Sequence, residues 1–182
     1  MKISKLDAAR RQLETAVALY FHEGDPASIH TLVGAAYELL LTLSEKVGEQ
    51  GTIKQWMAEY IKPDRMKEIH RALNAARNCF KHADADADAV LDYDPKQADY
   101  FMMDACWAYR RLSGERLPLF GVFEAWASLT LARDVVHYPG TETIGAEAMK
   151  RLTSMSRQAF FDELLPLAYE SRVHLPAPPN NT

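Results

Sequence analysis

The sequence predicts an all-α fold, a single helical-bundle domain of about six to seven helices. Three observations lead there. Apolar residues recur at three- and four-residue steps along most of the chain, the period of one helix face. Capping and breaking residues punctuate those stretches. No alternating run reads as a strand, no Gly-rich loop is shaped for phosphate, and no repeat of fixed period occurs.

The elements follow in order. Ser4, with Asp7 three residues later, opens a helix over 4–22 like a capping box, and Gly24 is expected to end it. Asp25 caps a second helix and Pro26 takes its first position. Its wide apolar face runs from Ile29 to Leu43, and Gly48 and Gly51 close it. Ile53, Trp56, Met57 and Tyr60 suggest a short helix over 53–61. Pro63 starts another that runs to about His82, with Met66, Ile69, Leu73, Ala76 and Phe80 on its stripe. Pro95 introduces a helix over about 96–113, ended by Gly114. Residues 118–134 form a further apolar helix. A last long helix is expected over about 143–171, with Pro166 kinking or ending it. The bundle domain therefore spans 1–172, and 173–182 form an extended or frayed tail.

Composition removes several functions. With 182 residues, 25% charged and 48% in the AVILMFWYC set, the chain can bury a sizeable core. A formal net charge of −4 gives no global basic surface for nucleic acid. No apolar h-region and no run of eighteen apolar residues is present, so a cytoplasmic protein with no membrane partner is expected. Cys79 and Cys106 lie in apolar-periodic segments and are expected as reduced thiols. Clustered Cys and His for zinc are missing from the sequence, and no Glu-x-x-His pair exists for a di-iron bundle.

The most unusual stretch is RNCFKHADADADAVLDYDP, residues 77–95. Asp84, Asp86 and Asp88 share the first three ligand spacings of an EF-hand loop. The sixth position is Ala89 rather than Gly, and the twelfth is Pro95 rather than Glu. The stretch therefore reads as a solvated connection whose aspartates cap turns, with no metal expected.

Arg77, Asn78, Lys81 and His82 precede it. At about 100° per residue, Arg77 lies at the edge of the buried helix face. Asn78 and His82, four apart, turn away from the core. From periodicity alone these are surface cations and a C-terminal capping group, as the negative helix end favours.

The order Arg77-Asn78-Cys79-Phe80-Lys81-His82 resembles the R-x4–6-H motif of the HEPN superfamily, whose members are α-helical bundles. In them the residue after the Arg is typically Asn, Asp or His. The segments ISKLDAARRQLETA, GDPASIHTL and FKHADADADAVLDYDP also resemble a group of uncharacterised bacterial proteins.

The HEPN resemblance implies a metal-independent RNase without cofactor, acting as a homodimer whose two motifs face one cleft. RNA is then the implied substrate. His82 would act as general acid or base, Arg77 would hold the phosphate and offset its charge, Asn78 would position these groups, and Lys81 would add phosphate affinity. The alternative is a non-catalytic helical dimer or partner-binding module in which the same residues are structural. A third class, a ligand-binding bundle, would show an apolar cavity lined by Trp56, Trp107 or Trp126. Tyr100, Phe101, Trp107 and Phe120 are expected to supply an apolar dimer patch.

Overall fold

A computed structural model describes residues 1–49, 66–81, 87–131 and 141–170, with the side chains of 66–73 and 142 outside the description. Among these residues there are seven α-helices and no strand, so the chain is an all-α helical bundle. The helices are α1 Lys5–Phe21, α2 Pro26–Lys46, α3 Met66–Lys81, α4 Gln97–Ser113, α5 Pro118–Thr130, α6 Ala146–Thr153 and α7 Arg157–Tyr169.

Helix α1 is the central element and packs against α2, α4, α5 and α7. Its stripe, Ala9, Leu13, Ala16, Val17, Tyr20 and Phe21, is buried, as three- and four-residue spacing requires. The capping box forms: the Asp7 amide donates to Ser4 Oγ at 3.0 Å, and the Ser4 amide donates to Asp7 Oδ2 at 3.2 Å. Asp25 caps α2 by accepting from the Ser28 amide at 2.7 Å, with Pro26 at the helix start. Helix α2 lies between α1 and α4 and also carries α3. By length and composition α2 is apolar enough to cross a membrane. In the bundle its Ile29, Val33, Ala36 and Leu40 are buried.

The aromatic centre joins α1, α5 and α7. Phe21 stacks on Phe161 with ring centroids 4.8 Å apart, and Phe123 meets Tyr20 edge-on at 5.3 Å. Trp126 packs on Phe160 at 5.1 Å. The sulfur of Cys106 is sealed in the core, and Cys79 is partly exposed, both unpaired.

Four sequence expectations change. The expected helix over 143–171 is two helices, α6 and α7, preceded by a 3-10 turn at Thr141–Thr143. Ser156 breaks it by taking the N-cap of α7, its Oγ accepting from the Ala159 amide at 3.2 Å. Pro166 lies inside α7, which continues to Tyr169. At the end of α1 the left-handed residue is Glu23, at φ 54°, rather than Gly24. Helix α5 stops at Thr130 because Leu131 is extended. The expected apolar patch does not form as read: Phe120 is buried edge-on to Tyr109, while Phe101 and Trp107 pack against the core. Tyr100 alone of the four is exposed, at 47%. The stops at Gly48 and Gly114 hold, both at positive φ, where a Cβ would be strained. The expected 53–61 helix and the 173–182 tail lie outside the described residues.

Candidate functional site

The end of α3 is positioned by α2. His30, Gly34 and Glu38 recur every four residues on α2 and form the stripe that meets α3. The Arg77 stem runs past Gly34: a Cβ built there would sit 3.6 Å from Arg77 Cγ and 3.7 Å from Cδ, in ordinary van der Waals contact. The stem lies along α2, and the guanidinium reaches the Glu38 carboxylate, one turn further on. Arg77 Nη1 donates to Glu38 Oε1. Lys81 Nζ donates to the other oxygen, Oε2, at 3.4 Å. One carboxylate thus holds two cations, with side-chain exposures of 28% for Arg77, 30% for Lys81 and 45% for Glu38. At such exposure an ion pair contributes about 0–1 kcal/mol, so it sets geometry more than stability.

Asn78 is exposed beside Arg77, on the face that the helix's apolar stripe turns away from the core. His82, Asp84 and Asp86 lie outside the described residues. The structure therefore brings together Arg77, Asn78 and Lys81 at one helix end, and adds Glu38, which the sequence did not single out. Among the described acidic residues, Asp88, Asp92 and Asp94 are exposed. Asp94 Oδ1 accepts from the Lys96 amide at 3.0 Å, the turn-capping role expected of this stretch. No group of three or more His, Cys, Asp or Glu side chains is placed to hold a metal ion among the described residues.

Behind Arg77 sits His30, 2% exposed. Its Nδ1 is hydrogen-bonded to Tyr93 Oη at 3.1 Å. Phe80, Tyr93 and Phe101 enclose the ring edge-on at 5.7, 5.3 and 6.2 Å. Burial pushes the imidazole pKa below its usual value, and the nearby Arg77 charge adds to this. Burial also pushes the Tyr93 hydroxyl up to about 12. Through Tyr93 and Phe80 this aromatic box ties the far end of the acidic stretch, and the end of α3, to α2.

Three buried acids escaped the sequence reading: Asp99, Asp104 and Glu124. Asp99 Oδ2 accepts from Tyr20 Oη at 3.1 Å, and Trp126 Nε1 donates to the same Tyr20 oxygen at 3.1 Å. The Arg157 guanidinium lies over the Tyr20 ring, 4.6 Å from its centroid. Four helices are joined through this one tyrosine. Burial pushes the Asp99 carboxyl up to about 6, outweighing the Tyr20 hydrogen bond and the Arg157 charge, which pull it down. Glu124 of α5 accepts from Arg110 Nη1 of α4 at 3.0 Å, with side-chain exposures of 3% and 12%. Burial pushes Glu124 up to about 7 against the pull of Arg110 and Arg116. The tryptophan-lined cavity that a ligand-binding bundle would show does not involve Trp126, whose ring is packed on Phe21 and Phe160 and whose nitrogen is spent on Tyr20. Trp107 packs against the core, and Trp56 lies outside the described residues.

No family model, no curated protein and no solved structure matches this chain.

Proposed function

We propose that this chain is a non-catalytic helical module that works by holding a protein partner, in the simplest case a second copy of itself. One observation carries the non-catalytic reading: Glu38 holds both Arg77 and Lys81, so the cations of the motif serve first to tie α3 to α2. A phosphate-binding arginine in an RNase would need to present its guanidinium to the substrate rather than to an internal carboxylate. The exposed Tyr100 on α4 and Val90 before it offer apolar surface to a partner, and a two-fold dimer is the commonest assembly.

The second reading is the HEPN-like, metal-independent RNase acting through Arg77, Asn78 and His82. It is favoured by the exposure of Asn78 and by the solvent access that Arg77 and Lys81 keep at the same helix end. On that reading Glu38 has to leave Arg77 before chemistry.

Incubation with single-stranded RNA in EDTA separates the two. The module reading expects no cleavage above a mock-purified control, and an Arg77→Ala melting temperature lowered by about 1–4 °C. Products ending in 2′,3′-cyclic phosphate, lost in both Arg77→Ala and His82→Ala with melting unchanged, establish the RNase reading instead.

A further inference from the structure

We infer that the partner is a second copy of this chain met head to tail, the basic end of one bundle seated on the acidic end of the next. The inference rests on the module reading and replaces a two-fold pairing with a directional contact.

The topology puts two unlike patches at opposite ends of the bundle. Helices α1 and α4 run antiparallel. Tyr20, late in α1, reaches Asp99 in the first turn of α4 at 3.1 Å. Arg10, early in α1, lies close enough to Tyr109, late in α4, for its charge to act on that hydroxyl. The start of α2 meets the segment before α4 through His30 and Tyr93, 3.1 Å apart. The turn after α2 meets the end of α4 through Glu49 and Arg111, 3.3 Å apart. At about 1.5 Å per residue, the length of α1 separates the two ends by about 25 Å.

Each end combines exposed apolar side chains with charges of one sign. At the end where α1 begins and α2 stops, Ile3 and Val47 are exposed, Val47 at 65%. Lys2, Lys5, Arg11 and Lys46 are exposed at the same end. Its acids are already engaged: Asp7 by Ser4, Glu49 by Arg111 and Glu115 by Tyr109, and Glu45 is not free either. At the other end Val90 is 97% exposed and Tyr100 shares its access to solvent. Asp88, Asp92 and Asp94 are exposed in the same stretch, against one exposed cation, Lys96. Among the described residues Lys2, Lys5, Asp88 and Asp92 make no ion pair within the chain. Pairing either end with its own copy would set like charges opposite one another, whereas basic on acidic matches both charge and apolar surface. Such a contact leaves one free end of each kind, so the assembly grows until a ring closes. An end-on contact is small, so the association is weak and follows concentration.

Sedimentation velocity tests this at tens to hundreds of micromolar, in low and high salt. The proteins are the parent, an acidic-end variant carrying Asp88→Asn and Asp92→Asn, and a basic-end variant carrying Lys2→Gln and Lys5→Gln. All four side chains are exposed, and circular dichroism checks folding. The parent is expected to grow past a dimer with concentration and to be dispersed by salt. Each variant alone should associate about tenfold more weakly. The acidic-end change brings the negative net charge closer to zero, so a general relief of repulsion would act in the opposite direction. An equimolar mixture of the two variants should recover pairing, through the one intact basic end and the one intact acidic end, and stop at a dimer. An interface of identical patches gains nothing on mixing. A parent that stays monomeric at every concentration in low salt overturns the inference. A dimer that neither variant weakens, or that mixing does not restore, overturns it too and leaves the module reading standing. That reading fails by a different result, RNA cleavage lost in Arg77→Ala and His82→Ala.

Discussion

Tyr20 of α1 donates its hydroxyl proton to the buried carboxylate of Asp99 in α4, at 3.1 Å. The same oxygen accepts the Trp126 indole N–H from α5, and Arg157 of α7 lies over the ring. Tyr20→Phe keeps the packing and removes both hydrogen bonds. It leaves a buried carboxylate oxygen and an indole donor without this partner. A loss of about 1–3 kcal/mol is expected, the usual cost of stranding buried polar groups. Urea denaturation of the parent and Tyr20→Phe checks it. An unchanged midpoint would show that water already serves these groups.

Asp99 predicts a pH dependence. Its carboxyl titrates near 6 in the folded chain, against 3.8 for the ordinary side chain. Between those values the folded state keeps a proton that the unfolded state has lost. Stability therefore falls as pH rises through this window, and stays lower above it. Asp99→Asn keeps an acceptor for Tyr20 and removes the charge. It should melt higher than the parent at pH 8, by as much as about 3 kcal/mol at 1.36 kcal/mol per pKa unit. The advantage should shrink toward pH 4. Thermal melts across that range decide it, and a constant difference would exclude Asp99 as its source.

In the Arg110–Glu124 pair the carboxylate is buried and the guanidinium side chain is only 12% exposed. Glu124→Ala leaves the guanidinium in the core without its carboxylate, a change that commonly costs about 3–5 kcal/mol. Glu124→Gln, which retains an acceptor, should cost less. If the two variants denature at the same urea concentration, the pair contributes packing rather than charge.

His30 and Arg77 are coupled through the α2–α3 contact. The imidazole should titrate below the usual histidine value by NMR, chiefly through burial. Arg77→Ala should raise the midpoint by removing the neighbouring positive charge, without restoring the ordinary value. The histidine then charges only after the unfolded chain has done so, so stability is lost as pH falls below about 6.5. A midpoint indifferent to Arg77 would mean that the two groups are electrostatically separate.

The helices were legible because local signals and core packing agreed. Ser4 with Asp7, Asp25 with Pro26, and Gly114 each satisfy a helix end with their own atoms or backbone. The stripe of α1 is regular enough to name its core residues. The last helix was misread because Met149, Leu152 and Met155 keep three-residue steps up to the break and Phe160 and Leu164 resume a four-residue step after it, so the five-residue step between them was read over, and Ser156 gives only a local capping signal. Phe120 looked like surplus apolar surface because a stripe cannot tell how wide the core is at one level of a bundle. Asp99 and Glu124 were visible in principle, since each falls among apolar residues at core spacing. Their partners could not be found that way: Tyr20 and Asp99 are 79 positions apart, Arg110 and Glu124 on different helices. The end of α3 was read correctly as far as Arg77 at the edge of the buried face and Asn78 outside it. Glu38 was missed because it lies 39 residues away and looks, on α2, like any exposed acid.

The central claim is that Arg77 is engaged by Glu38. A double-mutant cycle with Arg77→Ala, Glu38→Gln and the pair of changes, read as unfolding free energy at low salt, tests it most directly. The account predicts a coupling of about 0.2–1 kcal/mol that fades in high salt, as for an exposed ion pair. Strictly additive effects, with Arg77→Ala as stable as the parent, would contradict it and leave Arg77 free for a ligand.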